Sequence, residues 1–170
     1  MATVPTAKQV SAAKFDAYLN GAYQADREAY VDRWHRALMF GVIVLGASAV
    51  IDIMPAWART VATMLTAVLA AADLVLDLSV RARTASFLRK GYFEVAAKLE
   101  EQSITPRAAH AEMLRLAAEE EPPYKAAHAI AENWATMAVF GPSKALPCKV
   151  GPWWRLTRNL MHYHGHNFSA

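Results

Sequence analysis

Apolar residues crowd into two runs, and the polar and charged residues lie mostly on either side of them. The first run, ALMFGVIVLGASAVI from Ala37 to Ile51, carries no charge. Continued through Asp52 to Trp57 it reaches about 21 residues, or about 31 Å of helix, which matches the hydrocarbon thickness of a bilayer. The second run, Thr60 to Val80, has the same length but contains Asp73 and Asp77. Only Met54-Pro55-Ala56-Trp57-Ala58-Arg59 stands between the runs. So short a connection makes two antiparallel neighbours, with Pro55 ending the first helix and Trp57 suited to a membrane interface. The pattern predicts an all-α integral membrane protein built on a two-helix transmembrane hairpin, with segments at about 37–57 and 60–80.

The flanks are also helical in period. Leu19, Tyr23, Tyr30 and Trp34 share one helical face, and so do Leu88, Tyr92, Val95 and Leu99. If the turn is centred near Trp57 and both helices rise equally, Leu99 falls beside Phe15, Val95 beside Leu19 and Tyr92 beside Ala22. The hairpin is thus expected to continue past the membrane as one antiparallel pair over 1–104. A cytoplasmic helical arm over 105–140 comes next. Thr105-Pro106 is a helix start, with threonine at the cap and proline in the first turn, and that helix runs to about Ala118. Glu119-Glu120-Glu121-Pro122-Pro123 ends it and opens another that reaches about Phe140. The tail, 141–170, is irregular, basic and aromatic, with Trp153 to Tyr163 expected as a short helix on the membrane surface.

Composition sharpens this picture. The chain is 55% hydrophobic with a formal charge of +3. No zinc-finger spacing, aromatic-glycine RNA signature or basic recognition helix accompanies the positive charge, so nucleic acid is not expected as a partner. Juxtamembrane cations account for it: Arg27, Arg33 and Arg36 precede the hairpin, Arg81, Arg83, Arg89 and Lys90 come after it, and Arg59 alone lies in the turn. That bias puts both termini in the cytoplasm of a multi-pass protein of the inner membrane. The long polar segment before the first run is unlike a cleaved secretory signal, so the run is expected to stay in the mature protein. One cysteine, Cys148, leaves no intrachain disulfide.

Asp73 and Asp77 are the sharpest candidates for function, because ionisable groups inside an apolar span are costly and default to functional readings. Asp77 is expected near the inner surface, within reach of Arg36 or Arg33, and Asp73 deeper, opposite Gly41 with no basic residue at its level. Gly41 and Gly46 with nearby alanines form a small-residue face for close helix packing, within the hairpin or between hairpins. His162, His164 and His166 alternate without a carboxylate or cysteine, a weak metal signal, and His35, His110 and His128 read as isolated surface histidines. With no nucleophile motif, phosphate loop or paired catalytic carboxylates, no enzymatic activity, cofactor or metal is expected.

The organisation resembles the SLATT family, two-transmembrane domains associated with SMODS nucleotidyltransferases and SLOG sensors in prokaryotic conflict systems. The resemblance rests on the hairpin, on DLVLDLSVRARTASFLRKGYFEVAAKLE from Asp73 to Glu100 and on EEEPPYKAAHAIAEN from Glu119 to Asn133. It implies a membrane effector that oligomerises to form a pore or perturb the bilayer on a cytoplasmic signal. Asp73, Asp77, Arg81 and Arg83 would belong to the membrane exit, and Glu121, Pro122, Pro123 and Asn133 to a signal-receiving arm. No sensor or nucleotidyltransferase sequence lies within these 170 residues, so the trigger is expected from a separate sensor protein or a nucleotide. Two other readings fit the residues: a membrane-anchored adaptor whose hairpin only anchors, and a soluble helical bundle that buries both apolar runs.

Overall fold

The computed structural model describes residues 6–50, 55–141, 148–159 and 168, with side chains 48–50 outside that description. Among the described residues the chain is all-helical, without strands: α1 (Ala7–Val50), α2 (Ala56–Leu76), α3 (Leu78–Glu100), α4 (Pro106–Ala117), α5 (Lys125–Phe140) and α6 (Pro152–Thr157). These fall into two compact units, one of Met1–Arg27 with Ala85–Ala170 and the other Glu28–Thr84.

The first unit is held by the stripe that periodicity places on α3. Leu88, Tyr92, Val95 and Leu99 are all nearly fully buried, and they pack with Ala13 and Ala17 of α1 and Ala109 and Met113 of α4. Small residues on α1 let large ones on α3 approach closely. Gly21 lies under the Phe93 ring, where an added Cβ would stand 3.1 Å from it. That contact and the 2.7 Å ion pair of Lys14 with Glu100 fall on the expected hairpin register. The partners of the stripe differ from expectation, however. Leu19 packs with Tyr23, Tyr124, Ala127 and Ala131, and Phe15 stacks 5.8 Å from Phe140, because α4 and α5 cover faces that a bare hairpin would leave open.

The α4 start is as read: the Thr105 hydroxyl accepts from the Ala108 N–H at 3.3 Å, and Pro106 occupies the first turn. Helix α5 buries Ala126, Ala127, Ala129, Ala131 and Ala135, small residues that let it be covered on two sides. One side meets Tyr23 and Tyr124, the other Phe168 and Trp154. Of the expected Trp153–Tyr163 helix, α6 forms the first part; residues 160–163 lie outside the described ones.

In the second unit few side chains are buried: Tyr30, Val31, Ala62 and Leu78 are, whereas Phe40, Ile43, Val61, Met64, Val68, Leu74 and Val75 are exposed. The threonines of α2 turn inward on their own helix. Thr60, Thr63 and Thr66 hydroxyls donate to the carbonyls of Ala56, Arg59 and Ala62, so no hydroxyl needs a partner from outside. Gly41 sits against Leu69 and Gly46 against Thr66, while Ala67, Ala70 and Ala71 face outward. Gly41 was expected opposite Asp73, one helical turn further along. The midpoint of the observed pairs lies near Pro55, the residue from which α2 starts, instead of near Trp57.

Helix α2 also ends where the sequence reads straight on. Asp77 adopts the left-handed conformation, φ 48° and ψ 44°, and caps α2. Helix α3 then restarts at Leu78 with the Arg81 N–H bonded to the Asp77 carbonyl at 3.0 Å. Taken through that break, Ala56–Glu100 is the one helix among the described residues long and apolar enough to cross a membrane, and only 11% of its most apolar stretch is buried. The first expected span, 37–57, is described as far as Val50, where α1 ends, and again from Pro55.

Candidate functional site

The acidic string between α4 and α5 is built into the first unit by side chains of α1 and α3. On α1, Ala17 and Gln24 lie seven residues apart on the buried stripe, and both are completely buried. The Gln24 amide donates from Nε2 to Glu120 Oε1 at 2.9 Å. The Tyr92 hydroxyl of α3 donates to the same carboxylate. Burial, and then that bond to a carboxylate, push the Tyr92 phenol far above its ordinary range. Glu120 therefore ties the α4–α5 link to both long helices.

One turn on, Arg27 is 6% exposed and donates from Nη2 to Glu121 Oε2, while its guanidinium lies 5.6 Å from the centre of the Tyr124 ring. The Tyr124 N–H in turn donates to Tyr23 Oη at 3.1 Å, which satisfies an amide at the α5 cap. Burial raises the Tyr23 phenol as well, so it stays protonated. Gln24 Oε1 is buried without a hydrogen-bond partner, the one imperfection in a network otherwise well matched. Chemically, this arrangement holds a linker, with both carboxylates engaged by donors.

Of the residues expected in the signal-receiving arm, Glu121 is thus part of the network. Pro122 and Pro123 are exposed in the same link. Asn133 has a different task. Its amide donates to the Cys148 carbonyl at 2.8 Å and accepts the Cys148 N–H at 2.9 Å, a two-point clamp that mimics backbone pairing. The Cys148 thiol, pushed up to about 11 by burial and then by the neighbouring Glu132 carboxylate, is a poor nucleophile. Behind this clamp, Ile130, Trp134, Met137, Val150, Arg155 and Arg158 line a cleft of about 420 Å³.

In the second unit Asp73 is not unpartnered and His35 is not isolated. Asp73 Oδ1 lies 2.8 Å from His35 Nδ1, with side chains 17% and 29% exposed. The register offset places His35 at the level of Asp73. Asp77 is exposed, and Arg36 is paired instead with Asp32 at 2.8 Å, one turn back on its own helix. Arg33, Arg81 and Arg83 are exposed. The residues His162, His164 and His166 lie outside the described ones. The signal that would have found His35 was its own position, just before the first apolar run; the signal for Gln24 was the spacing of Ala13, Ala17 and Gln24 by four and seven.

Comparison with family models, with characterised proteins and with solved structures finds no match to this chain.

Proposed function

We propose that this chain is a membrane effector. The apolar hairpin is solvated by lipid, several copies assemble through it, and the network around Glu120 and Glu121 receives a cytoplasmic signal. The observation that carries the reading is the surface of α2: Val68 is 62% exposed and Leu74 and Val75 are each 81% exposed, on a helix of membrane-spanning length. A soluble bundle would bury such residues, and water-exposed apolar area of this kind marks a lipid or protein interface. The His35–Asp73 pair supports a role beyond anchoring, because an ion-pairing group is costly in hydrocarbon and a pure anchor gains nothing from it. The arginine bias supports cytoplasmic ends on both sides of the hairpin. A separate sensor protein or a nucleotide supplies the trigger in the conflict-system setting that the SLATT resemblance implies.

Overexpression of the intact chain in bacteria, at a level where mass action drives assembly without the trigger, should collapse the membrane potential, read with a voltage-sensitive dye, and Asp73→Leu should change the extent of collapse. Unchanged potential with an inserted, oligomeric protein would overturn the effector reading in favour of the anchored adaptor. Recovery of the protein in a carbonate-washed supernatant would overturn both.

A further inference from the structure

The α6 segment divides into two faces. Inward, Trp154 meets Phe168 edge to face at 5.6 Å, Thr157 is buried, and Arg158 grips Asp26. Outward, Trp153 is 61% exposed and Leu156, one turn away, 63% exposed. Between them Arg155 is exposed; its Nε donates to the Val150 carbonyl at 3.1 Å, which leaves the Nη groups for other acceptors. Lys149 is exposed as well. Across residues 141–170 the sequence holds Lys144, Lys149, Arg155 and Arg158 and no aspartate or glutamate.

We infer that this face is a second lipid-contact surface, which lays Trp153 and Leu156 among the headgroups of an anionic bilayer and sets Arg155 and Lys149 on lipid phosphates. This rests on the membrane reading of the hairpin. Trp153 and Leu156 by themselves bury far less than the order of 1,200 Å² that a stable protein interface needs. They suffice for interfacial contact, where an indole sits at headgroup depth and each cation near an anionic leaflet strengthens binding by about fivefold. The short helix is held by the Asp26–Arg158 and Trp154–Phe168 contacts, so the outward residues are presented without an ordering cost at the moment of contact.

Full-length protein reconstituted in brominated phosphatidylcholine vesicles, with and without phosphatidylglycerol, tests this by tryptophan quenching. Trp153→Phe should remove a shallow quenched component that is present only in the anionic vesicles, and Arg155→Glu should abolish that component while Trp153 remains. Trp57→Phe should remove a component in both compositions. Quenching lost with Trp57→Phe but unchanged by Trp153→Phe would overturn this inference and leave the membrane reading standing. Protection of Trp153 from both bromolipid and aqueous acrylamide would overturn it in favour of a protein contact, and absence of any bromolipid quenching would overturn both readings.

Discussion

Arg27 carries a full charge at 6% exposure, and its surroundings show what makes that tolerable. The guanidinium has a carboxylate at Glu121 and an aromatic face at Tyr124, and the stem is buried with it, the side chain being 7% exposed, so charge, planarity and length are all used. Glu121 is 43% exposed, so water screens the Coulomb attraction and most of the stabilisation comes from the buried donor and the stem. Arg27→Ala should therefore destabilise the first unit by about 2 kcal/mol, the range for a hydrogen bond to a charged group plus lost packing, read from chemical unfolding followed by circular dichroism. Arg27→Lys should recover less than half of that, since an ammonium keeps the charge and loses the planar fork. In the sequence Arg27 appears only as one of several juxtamembrane cations. Its role is set by the α4–α5 link, whose return to α1 across 94 residues of separation no local pattern encodes.

At the scale of elements, features governed by helical periodicity are legible in the sequence, and a feature that depends on a single backbone angle is not. The Leu88–Leu99 stripe and the Thr105-Pro106 start can both be read from spacing and cap chemistry, and both are found as read. The break at Asp77 cannot, because an aspartate within an apolar run looks like a helix interior with a costly side chain. Its left-handed φ of 48° ends α2 there, although the apolar pattern runs on through Val80. A non-glycine residue costs roughly 1–2 kcal/mol in that conformation, less for aspartate than for branched residues. Asp77→Gly should accordingly leave thermal stability unchanged or raise it slightly, and Asp77→Val should lower it by about 1–2 kcal/mol. Equal melting temperatures for the two variants in detergent would show that this residue does not hold the left-handed turn.

At the scale of the molecule, the tail from Cys148 onward reads as an irregular basic appendage, yet its described residues are integrated into the first unit at three points. Asn133 clamps Cys148, Phe168 packs against Ala126 and Ala129, and Arg158 forms two bonds to Asp26, at 2.6 and 2.8 Å. The last of these joins residues 132 apart in sequence, so composition could announce a basic tail but not its partner. Both side chains are largely buried, 18% exposed for Arg158 and 22% for Asp26, and the fork geometry is bidentate, which places the pair among the stronger ion pairs. Arg158→Glu would set two carboxylates against each other and should release the segment. Tryptic cleavage at Arg155 should then quicken at least tenfold, which corresponds to about 1.4 kcal/mol of lost local stability when opening and reclosing are fast relative to cleavage. Asp26→Arg combined with Arg158→Glu restores opposite charges in reversed order, and should return the cleavage rate toward that of the parent chain. A double variant cleaved as fast as Arg158→Glu alone would mean that Asp26 does not anchor the tail. In that case the outward presentation of Trp153 and Leu156 would have to come from the Trp154–Phe168 contact by itself.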